Sequence, residues 1–107
     1  MAGRKSIDKW QFGDFQTPLA LAIKVVEVLK RNHGVLPDHV IEPTCGKGAF
    51  VIAAAQGFEA CKIHGYEINP NYVVSANENI KANHLTDSSS VKEADFFDTD
   101  WGKEIAS

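Results

Sequence analysis

The fold of this chain is decided by one stretch, Val40-Ile41-Glu42-Pro43-Thr44-Cys45-Gly46-Lys47-Gly48-Ala49-Phe50. An apolar strand ends at the acidic residue Glu42, and a tight loop with two glycines leads into a helix over 49–56. Glycine has no Cβ, so the backbone at Gly46 and Gly48 can lie close to a bound ligand. The stretch therefore predicts a strand–loop–helix unit that either binds a ligand at its loop or is an ordinary structural connection.

The residues around the two glycines favour one class of ligand. The dinucleotide pattern G-x-G-x-x-G requires a third glycine where this chain has Val51. A carboxylate at Glu42 would repel a pyrophosphate and attract a cationic group. Since S-adenosylmethionine carries an ammonium and a sulfonium, the stretch favours this cofactor over NAD.

Strand and helix signals alternate along the chain. Helices are predicted at 19–31, 49–56 and 70–83, and strands at 38–42, 61–66 and 90–94. We predict that Thr17 caps the first helix and that Pro18 occupies its first position. Asn69 caps the third helix by the same reasoning. The alternation predicts an α/β fold in which three parallel strands with flanking helices form part of a doubly wound, Rossmann-like sheet.

Length and composition are typical of one globular domain. The 107 residues, of which 44% are hydrophobic and 23% charged, suffice for a modest core. A net charge of -3 gives no strong basic field for nucleic acid. Cys45 and Cys61 predict neither a disulfide framework nor a metal site, and no apolar run is long enough to span a membrane. We expect a reduced, cytoplasmic setting.

Candidate binding residues follow the predicted strands at their carboxyl ends, where the ligands of such sheets lie. Glu67 ends the second strand, where a carboxylate can accept hydrogen bonds from both hydroxyls of a ribose. Ile68 could cover one face of an adenine ring, while Asp95 and Phe96 could bind its amino group and stack on it. Each of these residues could equally be an ordinary strand end. We expect Phe97 to belong to the core.

Two motifs in this order resemble one enzyme family. The run Glu-Pro-Thr-Cys-Gly-Lys-Gly-Ala-Phe at 42–50, with Phe-Gln-Thr-Pro at 15–18, resembles the S-adenosylmethionine-dependent DNA adenine methyltransferases of restriction–modification systems. The resemblance implies a class I methyltransferase sheet, with a flexible N-terminus at 1–12 and the cofactor-binding half of the domain at 13–107. The chain departs from the family at Thr44, where many methyltransferases carry another glycine.

The resemblance also implies which residues hold the cofactor. The Thr-Pro segment and the glycine loop would hold the methionine end of S-adenosylmethionine. The family's ribose acid corresponds to Glu67, and its adenine-contacting acid corresponds to Asp95. With Ile68 added from its place beside Glu67, the expected cofactor-binding residues are Phe15, Thr17, Pro18, Glu42, Pro43, Thr44, Cys45, Gly46, Gly48, Phe50, Glu67, Ile68, Asp95 and Phe96.

The family's catalytic motif, Asp/Asn/Ser-Pro-Pro-Tyr/Phe, has no counterpart here, because the sequence contains no Pro-Pro. In the family, that motif bonds the target amine and stacks on the flipped base. Asn69-Pro70-Asn71-Tyr72 looks similar, but its place directly after Glu67 predicts a helix cap. The Cys45 thiol has no evident base partner and is interpreted as a small loop residue. We therefore assign no catalytic residue in this chain. We expect the chain to be a piece of the enzyme that is truncated before the catalytic motif and is inactive alone.

Partners and alternative functions follow from the same resemblance. DNA would be bound through sequence outside this chain. The family's fourth strand lies beside the first, so Val40 and Ile41 would present a bare edge that favours self-association or a partner chain. The alternatives are an RNA or protein amide methyltransferase of similar design, and a non-catalytic module that binds S-adenosylmethionine or a nucleotide.

Overall fold

The computed structural model describes residues 16–106, so the expected flexible N-terminus at 1–12 and the candidate Phe15 lie outside the described residues. The elements follow in the order α1 Leu19–His33, β1 His39–Glu42, α2 Ala49–Gly57, β2 Lys62–Glu67, α3 Pro70–Ala82, β3 Ser89–Glu93 and α4 Trp101–Ala106. The alternation of strands and helices is the predicted one. The short helix α4 was not predicted. Among the helices of residues 16–106, none has the length and apolar composition that crossing a membrane requires.

The three strands form one parallel sheet in the order β1-β2-β3. In the register of the sheet, Val40 pairs with Ile63, and Gly65 pairs with Val91. The predicted α/β fold with three parallel strands and flanking helices is therefore confirmed. Because the strands are parallel, their carboxyl ends meet at one edge, where the loops after β1, β2 and β3 begin.

The core lies between the sheet and the helices that connect its strands. Its largest fully buried side chains are Val51 on α2, Ile63 on β2 and Ile80 on α3. Complete burial of such a side chain contributes about 1.5–3 kcal/mol. Helix α1 packs on α2, where Lys30 Nζ donates a hydrogen bond to the Gly57 carbonyl at 2.8 Å. The core therefore fixes α2 and α3 relative to the carboxyl edge of the sheet.

Two helix ends carry residues that are typical of those positions. Gly34 ends α1 in the left-handed conformation, with φ of 63°, as expected of a C-terminal glycine. Asn69 caps α3, and its Oδ1 accepts hydrogen bonds from the backbone N–H groups of Asn71 at 2.9 Å and Tyr72 at 3.4 Å. The interpretation of Asn69-Pro70-Asn71-Tyr72 as a helix cap is therefore confirmed.

Two local predictions are wrong. Thr17 does not cap α1, because the cap position is Pro18 and no side chain caps the helix. The N–H groups of Leu21 and Ala22 donate instead to the Pro18 carbonyl, both at 3.1 Å. Phe97 does not belong to the core, since it is 89% exposed on a turn beyond the end of β3. Its position on a turn, clear of the sheet, prevents the burial that its apolar side chain suggests.

Candidate functional site

A cleft of about 860 Å³ lies at the carboxyl ends of the three strands. Sites for small molecules typically enclose roughly 300–1,000 Å³. Eleven of the expected cofactor-binding residues line it, namely Thr17, Glu42, Pro43, Thr44, Cys45, Gly46, Phe50, Glu67, Ile68, Asp95 and Phe96. The fold thus brings together residues from four separate parts of the sequence at one cleft of suitable size.

Two expected residues lie outside the cleft lining. Pro18 is exposed at the start of α1. Gly48 is buried at the start of α2 with φ of 95°, and a Cβ placed on it would lie 3.3 Å from the Cβ of Ala76 on α3. Because this contact is tight and the backbone is left-handed, Gly48 is required by the packing of α2 against α3.

Glu67 ties the glycine loop to the end of β2. Its side chain is buried, and its Oε1 accepts a hydrogen bond from the Gly46 N–H at 2.8 Å. Its Oε2 accepts another from the Asn69 N–H, also at 2.8 Å. A carboxylate offers about four lone-pair positions, so Glu67 retains capacity to accept hydrogen bonds from ribose hydroxyls.

The backbone N–H groups of the glycine loop all have partners inside the protein. Their acceptors are Glu42 Oε1 for Thr44, Tyr66 O for Cys45, Glu67 Oε1 for Gly46, Gln16 Oε1 for Lys47 and Cys45 O for Gly48. A phosphate-binding loop instead points such groups at its ligand. The geometry therefore argues against a pyrophosphate site, in agreement with the preference for S-adenosylmethionine over NAD.

The charges that line the cleft are mostly negative. Glu42, Glu67 and Asp95 contribute carboxylates, and Lys47 is the one basic residue among the described residues of the lining. The Lys47 ammonium lies 5.6 Å from the centroid of the Tyr72 ring. Excess negative charge in a partly enclosed cleft favours a cationic ligand.

The Cys45 thiol is unsuited to nucleophilic chemistry. Burial, together with the nearby Glu67 and Glu42 carboxylates, raises the pKa of this thiol to about 12. Since the thiolate is the reactive form, Cys45 is unreactive near neutral pH. Its Sγ donates to the Gly46 carbonyl at 3.6 Å. The interpretation of Cys45 as a small loop residue agrees with this environment.

Apolar and acidic groups meet at the end of the cleft beyond β2 and β3. The side chains of Ile68 and Phe96 are 56% and 41% exposed, so both retain free apolar surface. Asp95 Oδ1 accepts a hydrogen bond from the Phe97 N–H at 2.9 Å, which fixes the carboxylate at the start of a turn. This combination can contact the faces and the amino group of a purine.

Sequence reasoning missed several cleft residues. Gln16, whose Oε1 accepts from the Lys47 N–H at 2.9 Å, precedes the Thr-Pro segment and could have been found by adjacency. Asn79 lies far along α3, and its Nδ2 donates to the Lys47 carbonyl at 3.2 Å. No local pattern identifies a contact of this kind. The other missed residues of the lining are Leu19, Lys47, Ala49, Ile52, Asn83, Ala94 and Phe97.

Comparison with known proteins identifies the domain. Residues 37–105 match the family described as a methyltransferase domain. Type II methyltransferase M.NspV of Nostoc sp. is 48% identical over 99 residues, covering 91% of this chain and 20% of that protein. A protein-lysine N-methyltransferase of Saccharolobus islandicus is 32% identical over 84 residues, covering 78% of this chain and 50% of that protein. The chain thus spans half or less of the length of these curated relatives.

A solved structure extends the comparison to the fold and the cofactor. An RNA methyltransferase from Salinibacter ruber, in complex with S-adenosyl-L-homocysteine, matches with a TM-score of 0.64 and 25% identity, covering 80% of this chain and 54% of that one. The Rossmann-like class I methyltransferase sheet and S-adenosylmethionine as cofactor are thereby confirmed. Since the family match covers well over half of the sequence, the chain belongs to the methyltransferase domain family.

Proposed function

We propose that this chain is the cofactor-binding part, residues 13–107, of a site-specific DNA adenine methyltransferase of a restriction–modification system. The observation that carries the proposal is the 48% identity over 99 residues to a protein named as a type II methyltransferase. DNA contacts and catalytic residues would come from sequence outside this chain, which contains no Pro-Pro. Alone it would be inactive. The same proposal assigns the protein to the prokaryotic cytoplasm, where DNA is accessible.

The cleft residues fit the parts of S-adenosylmethionine. Glu42 would pair with the ammonium of its methionine end, Glu67 would accept its ribose hydroxyls, and Asp95 would accept its adenine amino group. Ile68 and Phe96 would cover the ring faces. When bound, the cofactor supplies an electrophilic methyl group on a sulfonium. The remaining proposed contacts are Phe15, Thr17, Pro43, Thr44, Cys45, Gly46 and Phe50.

The protein's own contribution is to hold these groups in place before the ligand arrives. The two 2.8 Å hydrogen bonds to Glu67 orient its carboxylate and leave little side-chain freedom to lose on binding. Preorganisation of this kind improves affinity by lowering the entropy cost of association. Glu42 is held more loosely, since its Oε1 accepts from the Thr44 N–H at 3.3 Å. Glu42 is therefore the better residue for testing binding apart from folding.

Calorimetric titration tests the cofactor site. We expect the chain to bind S-adenosylmethionine and S-adenosylhomocysteine but not NAD. Glu42→Gln should weaken binding of both by about ten- to 150-fold, because a charge-assisted contact contributes ~1.5–3 kcal/mol. Glu93→Gln is the matched control, since Glu93 is an exposed strand-end carboxylate outside the cleft. Equal affinities of the unsubstituted chain and the Glu42 variant would contradict the assignment.

A second candidate changes the substrate and keeps the cofactor. The similarity to a protein-lysine N-methyltransferase and to an RNA methyltransferase favours an RNA or protein methyltransferase of similar design. A non-catalytic module that binds S-adenosylmethionine or a nucleotide is the remaining alternative.

Methyl transfer by the complete protein separates these candidates. The complete protein is incubated with methyl-labelled cofactor and with DNA, RNA or protein in parallel. N6-methyladenine in digested DNA is the expected product. Label confined to RNA or protein would refute the DNA proposal, and no transfer to any of them would favour the non-catalytic module.

The edge of β1 is the proposed site of self-association or of a partner chain. In the described residues, β2 is the one strand that pairs with β1, and Val40 and Ile41 are half-buried. An unpaired edge favours pairing with another strand. Light scattering should show a mass above that of the monomer at high protein concentration. A strictly monomeric species would count against this proposal.

A further inference from the structure

We infer that Trp101 is a positioning residue for the adenine end of the cleft, acting through Phe96. The inference rests on the proposed function, because that proposal assigns Asp95 and Phe96 to the adenine. Trp101 does not line the cleft itself. Its effect on a ligand would therefore pass through the turn that begins at Asp95.

Trp101 connects this turn to a buried residue of the central strand. Its indole Nε1 donates a hydrogen bond to the Phe96 carbonyl at 2.9 Å. Its ring centroid lies 5.5 Å from that of Phe96 and 5.1 Å from that of Tyr66, which it meets edge to face. Tyr66 is 5% exposed on β2. The indole is thus placed between the rigid core and the cleft.

Helix α4, which carries Trp101, is itself held to the sheet. Tyr66 Oη donates to Glu104 Oε2 at 2.9 Å, and Lys92 Nζ lies 3.3 Å from Glu104 Oε1. These two hydrogen bonds lower the pKa of the Glu104 carboxyl, so it stays ionised and continues to accept them. A helix of six residues is not stable alone in water. Contacts with β2 and β3 therefore determine where α4 places the indole.

The turn also has internal hydrogen bonds that set its shape, and Asp95 is the acceptor in each of them. The Asp95 carbonyl accepts from Thr99 Oγ1 at 2.6 Å and from the Asp98 N–H at 3.1 Å, and its Oδ1 accepts from the Phe97 N–H. The Trp101 bond adds a contact from outside the turn, at the residue whose ring lines the cleft. Loss of that bond would let the Phe96 ring and the Asp95 carboxylate shift together.

Trp101→Phe tests this role because it keeps an aromatic ring and removes the N–H donor. S-adenosylhomocysteine should bind about three- to tenfold more weakly, as expected for one lost hydrogen bond. S-inosylhomocysteine carries an oxygen in place of the adenine amino group, so its 6-position cannot donate a hydrogen bond to Asp95. Its affinity should change less, so the preference for the adenine compound should fall. Lys103→Ala, an exposed change on the same helix, should leave both affinities unchanged.

The outcomes distinguish the inference from the function on which it rests. Equal weakening of both ligands in Trp101→Phe would indicate a general structural role and overturn the positioning role. Unchanged binding of both would also overturn it. If the unsubstituted chain binds neither ligand, the proposed cofactor site is refuted. The structural part of the inference, that the Trp101 bond holds the turn after β3 in place, is then decided by amide hydrogen exchange at Phe97 and Asp98, measured by NMR. Exchange should be faster in Trp101→Phe, and an unchanged rate would overturn the inference.

Discussion

Replacing Glu67 with glutamine should destabilise the folded chain in the absence of any ligand. The two donors at this side chain, the Gly46 and Asn69 N–H groups, face different carboxylate oxygens. An amide has one oxygen and one NH2 group. Whichever way the glutamine amide is turned, one hydrogen bond is lost and one backbone N–H faces another donor.

The size of the effect follows from burial and charge. Because Glu67 is 8% exposed, water gives little compensation for the lost partner. A hydrogen bond to a charged group contributes about 1.5–3 kcal/mol, and the retained bond weakens when its acceptor becomes neutral. We expect the free energy of unfolding to fall by about 2–4 kcal/mol, a large part of the roughly 5–15 kcal/mol of a typical domain.

Urea denaturation followed by circular dichroism at neutral pH measures this loss. Glu93→Gln, the exposed change on β3, should alter the free energy of unfolding by less than about 0.5 kcal/mol. A similarly small loss for Glu67→Gln would refute the view that this carboxylate holds the glycine loop. The expected result has a practical consequence: weak cofactor binding by Glu67 variants would reflect a disordered loop as well as a lost ribose contact.

Two further predictions concern the glycine loop. Gly48→Ala should lower the free energy of unfolding by about 2–3 kcal/mol in urea, from backbone strain and from crowding against Ala76. At Gly34 a Cβ would meet nothing within 4 Å. Gly34→Ala should therefore lower the free energy of unfolding through backbone strain alone, by about 1 kcal/mol. For Cys45, the unfolded thiol loses its proton near 9.0 and the folded thiol near 12, so the free energy of unfolding should fall as pH rises between these values. Cys45→Ala should reduce that slope in urea titrations at pH 8 to 10.5, and equal slopes would contradict the raised pKa.

Local patterns were sufficient to predict the strands and the first three helices, and the family resemblance supplied many of the residues expected at the cleft. Apolar periodicity marks each element, and the Asn69 cap acts within three residues of itself. Helix α4 was missed because its stability comes from contacts with Tyr66 and Lys92, which no short window contains. Phe97 was misplaced because apolar residues are often exposed on turns.

Long-range contacts account for what the sequence could not predict about the cleft. Glu67 was expected to bind the ribose because it lies at the end of the second strand. Its second role, as the acceptor for Gly46, joins residues 21 positions apart. The contact of Asn79 with Lys47 spans 32 positions. Pairing across such distances is decided by the packing of α2, α3 and the sheet, so it becomes visible only in the folded chain.

The internal bonding of the glycine loop also bears on the order of events in folding. The loop receives partners from Gln16, Glu67 and Asn79, which lie 31, 21 and 32 residues from the loop residues that they contact. Contacts between distant residues carry the largest entropy cost of closure and tend to form late. We therefore expect the cleft to form in the last steps of folding. Only the fully folded domain would then bind the methyl donor, and partly folded chains would not bind it.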